Sequence, residues 1–135
     1  MSSEKNYVDW MLVKAKINNF ELRPDYKQRD IWWCSVGENI GYEEDGKNIF
    51  FNRPVLILKK FGHGLFWGVP LSTTKKRGKY YYEFEFNGRV SVALLSQLRA
   101  FDSARLNNGR ASARIGMVSQ KVFGDIKQKI HQLMD

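Results

Sequence analysis

The sequence predicts a mainly β protein: a small curled antiparallel sheet or SH3-like barrel, with a helix near each end of the chain. Short apolar segments separated by turn residues follow one another from residue 30 to residue 99. Near both termini the apolar residues instead recur at helical spacing. No repeat or low-complexity segment interrupts the 135 residues. We therefore expect a single domain over 1–135, in which 1–28 form a helical extension and 29–135 the body.

The N-terminal segment is predicted to be helical from about Ser3 to Asn18. Ser2 or Ser3 can cap its start, and the Asn18-Asn19 pair can end it. The helix either covers one face of the body or forms an interaction surface, and we expect it to cover the body. Its apolar side chains near helical spacing are Tyr7, Trp10, Met11 and Ile17.

The predicted strands cover residues 31–36, 54–58, 65–71, 80–86 and 90–94, with a weaker candidate at 111–118. After the last of these, Ser119 is placed to cap a helix. Its apolar stripe consists of Val122, Phe123, Ile126, Ile130 and Leu133.

The hairpin over residues 80–94 has two possible registers. In its first strand, aromatic residues alternate with glutamates, so one face is apolar. A two-residue Asn87-Gly88 turn would set Val90 opposite Glu85 and place the apolar stripes of the two strands on different faces. A three-residue loop over 87–89 pairs Phe86 with Val90 instead. Because register keeps apolar side chains on one face, we expect the longer loop.

The charge and the cysteine count limit the function classes. Lys and Arg outnumber Asp and Glu by 22 to 14, and the resulting net charge of +8 favours an anionic partner: nucleic acid, an acidic protein or a membrane surface. No apolar run approaches the roughly 20 residues of a membrane span, and no secretory signal is visible. Cys34 is the only cysteine, and no residues show metal-ligand spacing. We expect a soluble, cytoplasmic protein without metal or cofactor.

Four short motifs then occur in a defined order along the middle of the chain. They are DIWW at 30–33, followed by Gly37, Gly41 and Glu43; RPVLI at 53–57; VPLST at 69–73; and QLRAFD at 97–102, followed by Arg105-Leu106. Over roughly residues 29 to 132, this pattern resembles the MazF/PemK family of toxins. The chain departs from the family pattern in its N-terminal helix, in residues 48–51 inserted before Arg53, and in Ser72, where the family commonly has Thr.

This resemblance implies a fold of the CcdB/PemK type and a toxin of a type II toxin–antitoxin system. The implied activity is sequence-specific, metal-independent cleavage of single-stranded RNA, with Arg53 and Ser72 as the catalytic pair. The resemblance further implies a homodimer and a cognate acidic antitoxin. Thr73 and Glu43 are candidates for catalytic support.

The chemistry of these residue types suits such a reaction. A guanidinium can hold two phosphoryl oxygens at once, so Arg53 suits stabilising charge on the phosphorane better than carrying a proton. The hydroxyl of Ser72 can donate to the same oxygen or orient the 2′-hydroxyl. The residues expected to contact RNA are the basic run Lys75, Lys76, Arg77 and Lys79, together with Gln97 and Arg99.

Each of these residues also has an ordinary structural interpretation. Arg53 can be a surface residue at a strand start, and Ser72 can simply enter a turn. Gln97 and Arg99 can tie down neighbouring loops, and Asp102 can cap a turn or pair with Arg105. Two other functions stay open at this point: a toxin of the same fold that inhibits a protein such as DNA gyrase, and an RNA-binding barrel without activity.

Overall fold

The computed structural model describes residues 5–19, 23–40, 43–47, 51–106 and 113–135. Two helices, α1 (Tyr7–Asn18) and α2 (Gln120–Leu133), flank the strands. Short 3₁₀ turns cover Leu95–Gln97 and Ser103–Leu106. The strands are β1 (Asp30–Ser35), β2 (Asn52–Phe61), β3 (Leu65–Ser72), β4 (Tyr81–Phe86), β5 (Arg89–Leu94), β6 (Arg99–Asp102) and β7 (Arg114–Met117).

The strands form one antiparallel sheet in the order β4-β5-β3-β2-β1-β7. One edge of β3 is shared, because Leu71 and Ser72 pair with β5 while residues 65–68 pair with β6. This sharing curls the sheet. Among the described strands β4 and β7 remain the two ends, so the predicted mainly β fold is confirmed as a curled open sheet and not as a closed barrel.

Alternate residues of the central strand β2 enter two different cores. Leu56 and Leu58 pack on one face against Phe123 and Ile126 of α2. Residues 55 and 57 enter the core on the other face, which contains the fully buried Tyr26. Each large apolar side chain buried in this way stabilises the fold by roughly 1.5–3 kcal/mol. Both faces of the sheet are therefore covered along residues 55–58 of β2.

The predicted three-residue loop of the β4–β5 hairpin is wrong. The strands are joined by Asn87 and Gly88 alone, and Glu85 pairs with Val90. Both turn residues have positive φ, 52° and 74°, as a type I′ turn requires. This turn fits the right-handed twist of the two strands, so the local Asn-Gly preference decides the register.

The two apolar stripes of the hairpin do lie on opposite faces, and each is buried only in part, since Val90 is 40% exposed. Phe84 is 6% exposed and Val92 is fully buried, although they project to different sides of the ladder. Val92 pairs with Ser72 of β3, so β5 lies inside the sheet and not at its edge. Matching apolar faces therefore did not constrain the register, which is why the prediction from the sequence failed here.

Helix α1 begins later than predicted. Asn6 caps it by accepting a hydrogen bond from the backbone N–H of Asp9, whereas Ser2 and Ser3 lie outside the described residues. The helix ends at Asn18-Asn19 as expected. It covers the body through Trp10 and Ile17, which form a third core with Phe51 and Ala104. Its opposite side, with Val8, Met11 and Leu12, is exposed.

The C-terminal helix follows its prediction more closely. The Ser119 side chain accepts a hydrogen bond from the backbone N–H of Val122, and α2 starts at the next residue, Gln120. The weak strand candidate is observed as the shorter β7, and residues 111 and 112 lie outside the described part. Strand β6 was not predicted. Neither described helix is long and apolar enough to span a bilayer.

Gly68 tests the packing between β2 and β3. A Cβ atom at this position would lie 2.5 Å from Cγ1 of Val55 and 2.9 Å from the Phe66 ring. Gly68→Ala should therefore lower the free energy of unfolding by about 1–3 kcal/mol in urea denaturation. Gly64→Ala is the matched control, because its Cβ would meet nothing within 4 Å. Equal stability of the two variants would show that this contact does not limit packing.

Candidate active site

Strands β2 and β3 bring Arg53 and Ser72 to the same end of the sheet. The ladder pairs Val55 with Pro70, and extending this register by two residues sets Arg53 opposite Ser72. Both side chains line a cleft of about 510 Å³, together with Thr73. The structure thus brings together three of the four residues that the sequence singled out for catalysis or its support; the fourth, Glu43, does not line this cleft.

The guanidinium of Arg53 is held from three sides and is only 8% exposed. Its Nε donates to the carbonyl oxygen of Asp45 at 2.9 Å, and Nη1 donates to the carbonyl oxygen of Leu71 at 3.2 Å. Nη2 forms an ion pair with Oε1 of Glu44 at 2.6 Å. Arg53 is therefore a buried, positioned cation and not a mobile surface residue.

This environment acts on the charge of Arg53 in two directions. Burial lowers the pKa of the guanidinium, whereas the carboxylates of Glu44 and Asp45 oppose that shift. Three of its five N–H groups have the described partners, which leaves two that can bind phosphoryl oxygens. A cation held in this way can stabilise developing negative charge without first reorganising.

Ser72 combines a turn contact with access to the cleft. Its side chain is half-buried, and Oγ accepts a hydrogen bond from the backbone N–H of Thr74 at 3.1 Å. Ser72 therefore does take part in a turn, as its structural interpretation expects. Because a hydroxyl can accept and donate at once, the same contact leaves the O–H of Ser72 available to a substrate.

The polar residues Glu43, Gln97 and Arg99 line a second cleft, of about 620 Å³. Gln97 lies in a 3₁₀ turn, and its side-chain oxygen accepts a hydrogen bond from the backbone N–H of Glu44. Arg99 is exposed and lies over the ring of Phe101. Gln97 thus ties down the 43–47 segment, as its structural interpretation expects.

The sequence motifs singled out Glu43, but the contact to Arg53 comes from its neighbour Glu44. Glu43 is exposed, and its carboxylate accepts a hydrogen bond from the backbone N–H of Ile40. Nothing in the local pattern distinguishes two adjacent glutamates in a loop. Glu44 is identified only because its loop approaches β2, and this approach is visible only in the tertiary structure.

The basic run Lys75, Lys76, Arg77 and Lys79 is exposed, as expected, and begins three residues after Ser72. Two of its lysines lie over aromatic rings: Lys76 over Tyr81, with Nζ 5.6 Å from the ring centroid, and Lys79 over Tyr80 at 5.2 Å. This arrangement offers positive charge and aromatic faces beside the first cleft.

Asp102 does not pair with Arg105, which was one of its predicted roles. It caps the following turn by accepting from the backbone N–H of Ala104, and its ion pair is with Arg23. Arg105 instead donates to the carbonyl oxygen of Ser35 at 3.0 Å and lies over the Trp10 ring. Here the long arginine side chain reaches a distant strand in preference to its sequence neighbour.

Two further kinds of site, a reactive cysteine and a metal centre, find no support among the described residues. Cys34 is completely buried, and burial raises the pKa of its thiol to about 12, so the thiol stays protonated. Within the described ranges, no cluster of three or more His, Cys, Asp or Glu side chains is arranged to hold a metal ion.

Comparisons with known proteins agree with this architecture. A MazF structure from Deinococcus radiodurans superposes with a TM-score of 0.64 at 19% identity, covering 84% of this chain and 98% of that one. A MazE–MazF complex from the same organism gives 0.60 at 16%, covering 84% and 97%. An endoribonuclease in complex with its cognate antitoxin, from a mycobacterial species, gives 0.58 at 12%, covering 82% and 95%.

At these identities the structural matches show the fold alone. Sequence comparison with curated proteins finds no match. The model of the PemK-like, MazF-like toxins of type II toxin–antitoxin systems, however, matches residues 27–134 and so covers most of the chain. The chain therefore belongs to the PemK-like, MazF-like toxin family of type II toxin–antitoxin systems.

Proposed function

We propose that this toxin is a sequence-specific, metal-independent endoribonuclease that cleaves single-stranded RNA and thereby inhibits growth. The observation that carries the proposal is the shared cleft, in which a buried, oriented arginine lies opposite a hydroxyl. The chain's charge of +8 suits an RNA substrate. One of the superposing structures is itself described as an endoribonuclease.

In the proposed reaction the 2′-hydroxyl oxygen attacks the adjacent phosphorus, and the bond from phosphorus to the 5′-oxygen breaks. The products are a 2′,3′-cyclic phosphate and a 5′-hydroxyl, which takes up a proton. The two remaining N–H groups of Arg53 bind the phosphoryl oxygens as they gain charge. Ser72 donates to one of these oxygens or orients the 2′-hydroxyl. Thr73 offers a second hydroxyl in the same cleft. Glu43, the other residue considered for catalytic support, lines the second cleft, so the 2′ proton passes to solvent in this scheme.

The proposed partners are a second copy of the chain and an acidic antitoxin. Two of the solved structures that share this fold are MazE–MazF complexes from Deinococcus radiodurans. A protein with a net charge of +8 attracts an acidic polypeptide as well as RNA. We place the toxin in the cytoplasm, where RNA and antitoxin are both present.

The first test is cleavage of single-stranded RNA in the presence of EDTA. Wild-type protein should leave 2′,3′-cyclic phosphate ends, and Ser72→Ala should cleave about 10²–10³ times more slowly because one donor to the transition state is removed. Arg53→Ala should be inactive. Full activity of Ser72→Ala would transfer the role to Thr73.

Folding must be measured in parallel, because Arg53 also connects β2 to the 43–47 segment. Arg53→Lys keeps a positive charge but loses the fork that reaches both oxygens, so it should fold and still cleave poorly. Intact RNA across varied sequences would exclude the ribonuclease. Inhibition of DNA gyrase would then support a protein-directed toxin, and RNA binding without cutting a plain RNA-binding protein.

The Glu44–Arg53 ion pair predicts competition with the substrate. A phosphate that binds Arg53 must share the guanidinium with a carboxylate 2.6 Å away. Glu44→Gln should therefore bind RNA several-fold more tightly than Glu43→Gln at low salt, although both variants remove one negative charge. Binding of a labelled RNA by fluorescence anisotropy measures this difference. Equal affinities would mean that Glu44 does not compete for Arg53.

The basic run predicts a change in salt dependence. Replacing Lys75, Lys76, Arg77 and Lys79 by Gln should flatten the slope of log K against log salt by about 0.7 for each phosphate that the variant no longer neutralises. The matched control replaces four exposed lysines of the helices by Gln: Lys14, Lys16, Lys127 and Lys129. The same slope in both fourfold variants would show that only net charge matters and that the run does not track the RNA.

A further inference from the structure

Helix α1 is apolar on two opposite sides, and only one of them is buried. Trp10 and Ile17 point into the third core described above. The opposite side, which we call the outer face, consists of Tyr7, Val8, Met11, Leu12 and Ala15. All five residues are exposed, and their i, i+1, i+4, i+5, i+8 spacing makes them one continuous stripe. A surface helix normally keeps its solvent side polar, and a continuous exposed apolar stripe is typical of an interaction site.

The outer face lies outside the part of the chain that the family pattern covers. The family model begins at residue 27, whereas α1 ends at Asn18. Neither of the two clefts described above is lined by an outer-face residue. The reaction proposed above therefore gives this face no role.

A groove of about 370 Å³ adjoins the outer face, between α1 and the 3₁₀ turn at Ser103–Leu106. Met11 and Ala15 line the groove as well as the face, so the two surfaces are continuous. The charged residues of the groove are Lys14, Arg23, Arg105 and Asp102. The single carboxylate among them is paired with Arg23. With three cations and one carboxylate, the groove favours an acidic side chain of a partner.

Exposed lysines border the outer face on both edges. Lys14 lies about one turn after Met11 on one edge. Lys16 lies about one turn after Leu12 on the other edge. The helix contains one carboxylate, Asp9, in its first turn. An apolar stripe between two lysines is complementary to a helix whose own apolar stripe is bordered by Asp or Glu.

Other occupants fit these features less well than an acidic helix does. A bilayer surface is flat, so it would contact the stripe without filling the groove beside it. Single-stranded RNA binds largely by stacking its bases on aromatic side chains, and Tyr7 is the one aromatic residue of the outer face. The outer face of a second copy is bordered by the same lysines, so pairing two of them would bring like charges together.

We propose that the outer face of α1 and the adjoining groove form a docking site for an acidic amphipathic helix of the cognate antitoxin. The apolar side chains of that helix lie on the stripe, and one of its carboxylates enters the groove and pairs with Lys14. The site is additional to the surfaces of the family body. The inference rests on the proposed acidic antitoxin and is independent of the ribonuclease activity.

The test is the affinity of the cognate antitoxin for the full-length toxin, measured by isothermal titration calorimetry. Met11→Glu should weaken binding about tenfold or more, because it places a carboxylate in the stripe that faces the acidic helix. Met134→Glu is the matched control, since Met134 directly follows α2 and is 74% exposed against 63% for Met11. This control should bind like the wild type.

A second pair of variants tests the charge at the groove. Lys14→Glu should weaken antitoxin binding several-fold more than Lys129→Glu, an exposed lysine of α2, although both change the net charge equally. All four variants should unfold at the wild-type urea concentration, because the substituted side chains are exposed. A loss of affinity then reports the contact and not the loss of α1.

Equal affinities within both matched pairs would overturn the docking site. A changed mass of the free toxin in Met11→Glu would assign the outer face to a second copy. Loss of binding to anionic vesicles or to RNA in Met11→Glu, with antitoxin affinity unchanged, would assign it to a membrane or to the nucleic acid. Each of these results also overturns the docking site.

The docking site and the proposed partner fail in different ways. If the antitoxin binds the wild type and all four variants equally, only the docking site is wrong. If the antitoxin does not bind the wild type, the partner proposal fails and the docking site fails with it. The cleavage assay with RNA is unaffected by either result.

Discussion

The arrangement of the candidate site depends on the burial of one cation. Arg53 contacts the carbonyl of Leu71 on the neighbouring strand and both a carbonyl and a carboxylate of the 43–47 segment. An arginine at 8% exposure is tolerated only when such partners replace its hydration. The partners therefore hold a loop to the strand and orient the guanidinium toward the cleft. Stability and the proposed chemistry therefore use the same three contacts of Arg53.

The N-terminal helix and the inserted residue Phe51 lie outside the family pattern, and both pack near the 43–47 segment. Trp10 of α1 packs against Phe51, with ring centroids 5.5 Å apart, and fills the space left by Gly37. At the start of the helix, Lys5 forms an ion pair with Asp45, whose carbonyl accepts the hydrogen bond from Arg53. The N-terminal helix is thus more than a cover for the body, because it borders the segment that holds the catalytic candidate in place.

Prediction from the sequence succeeded for elements that local rules define. It failed for the tertiary hydrogen-bond and ion-pair partners of long side chains. Helix α2 and its Ser119 cap follow from spacing and capping alone. The partners of Asp102 and Arg105 do not, since each reaches a residue about 70 to 80 positions away. The hairpin register was predicted wrongly for a different reason. The successive residues Val92, Ala93 and Leu94 of β5 are all buried, so this part of the strand has no single apolar stripe to match.

By itself, the sequence determined the fold class, the family pattern and the residue types of the site, since these follow from periodicity, turn residues and ordered motifs. Only the tertiary structure decided that Glu44 pairs with Arg53 and that the candidate residues divide between two clefts. It also decided which apolar side of α1 is buried and which is exposed. The physical reason is that burial and hydrogen-bond partners arise from strands meeting across the sheet, which local sequence does not encode.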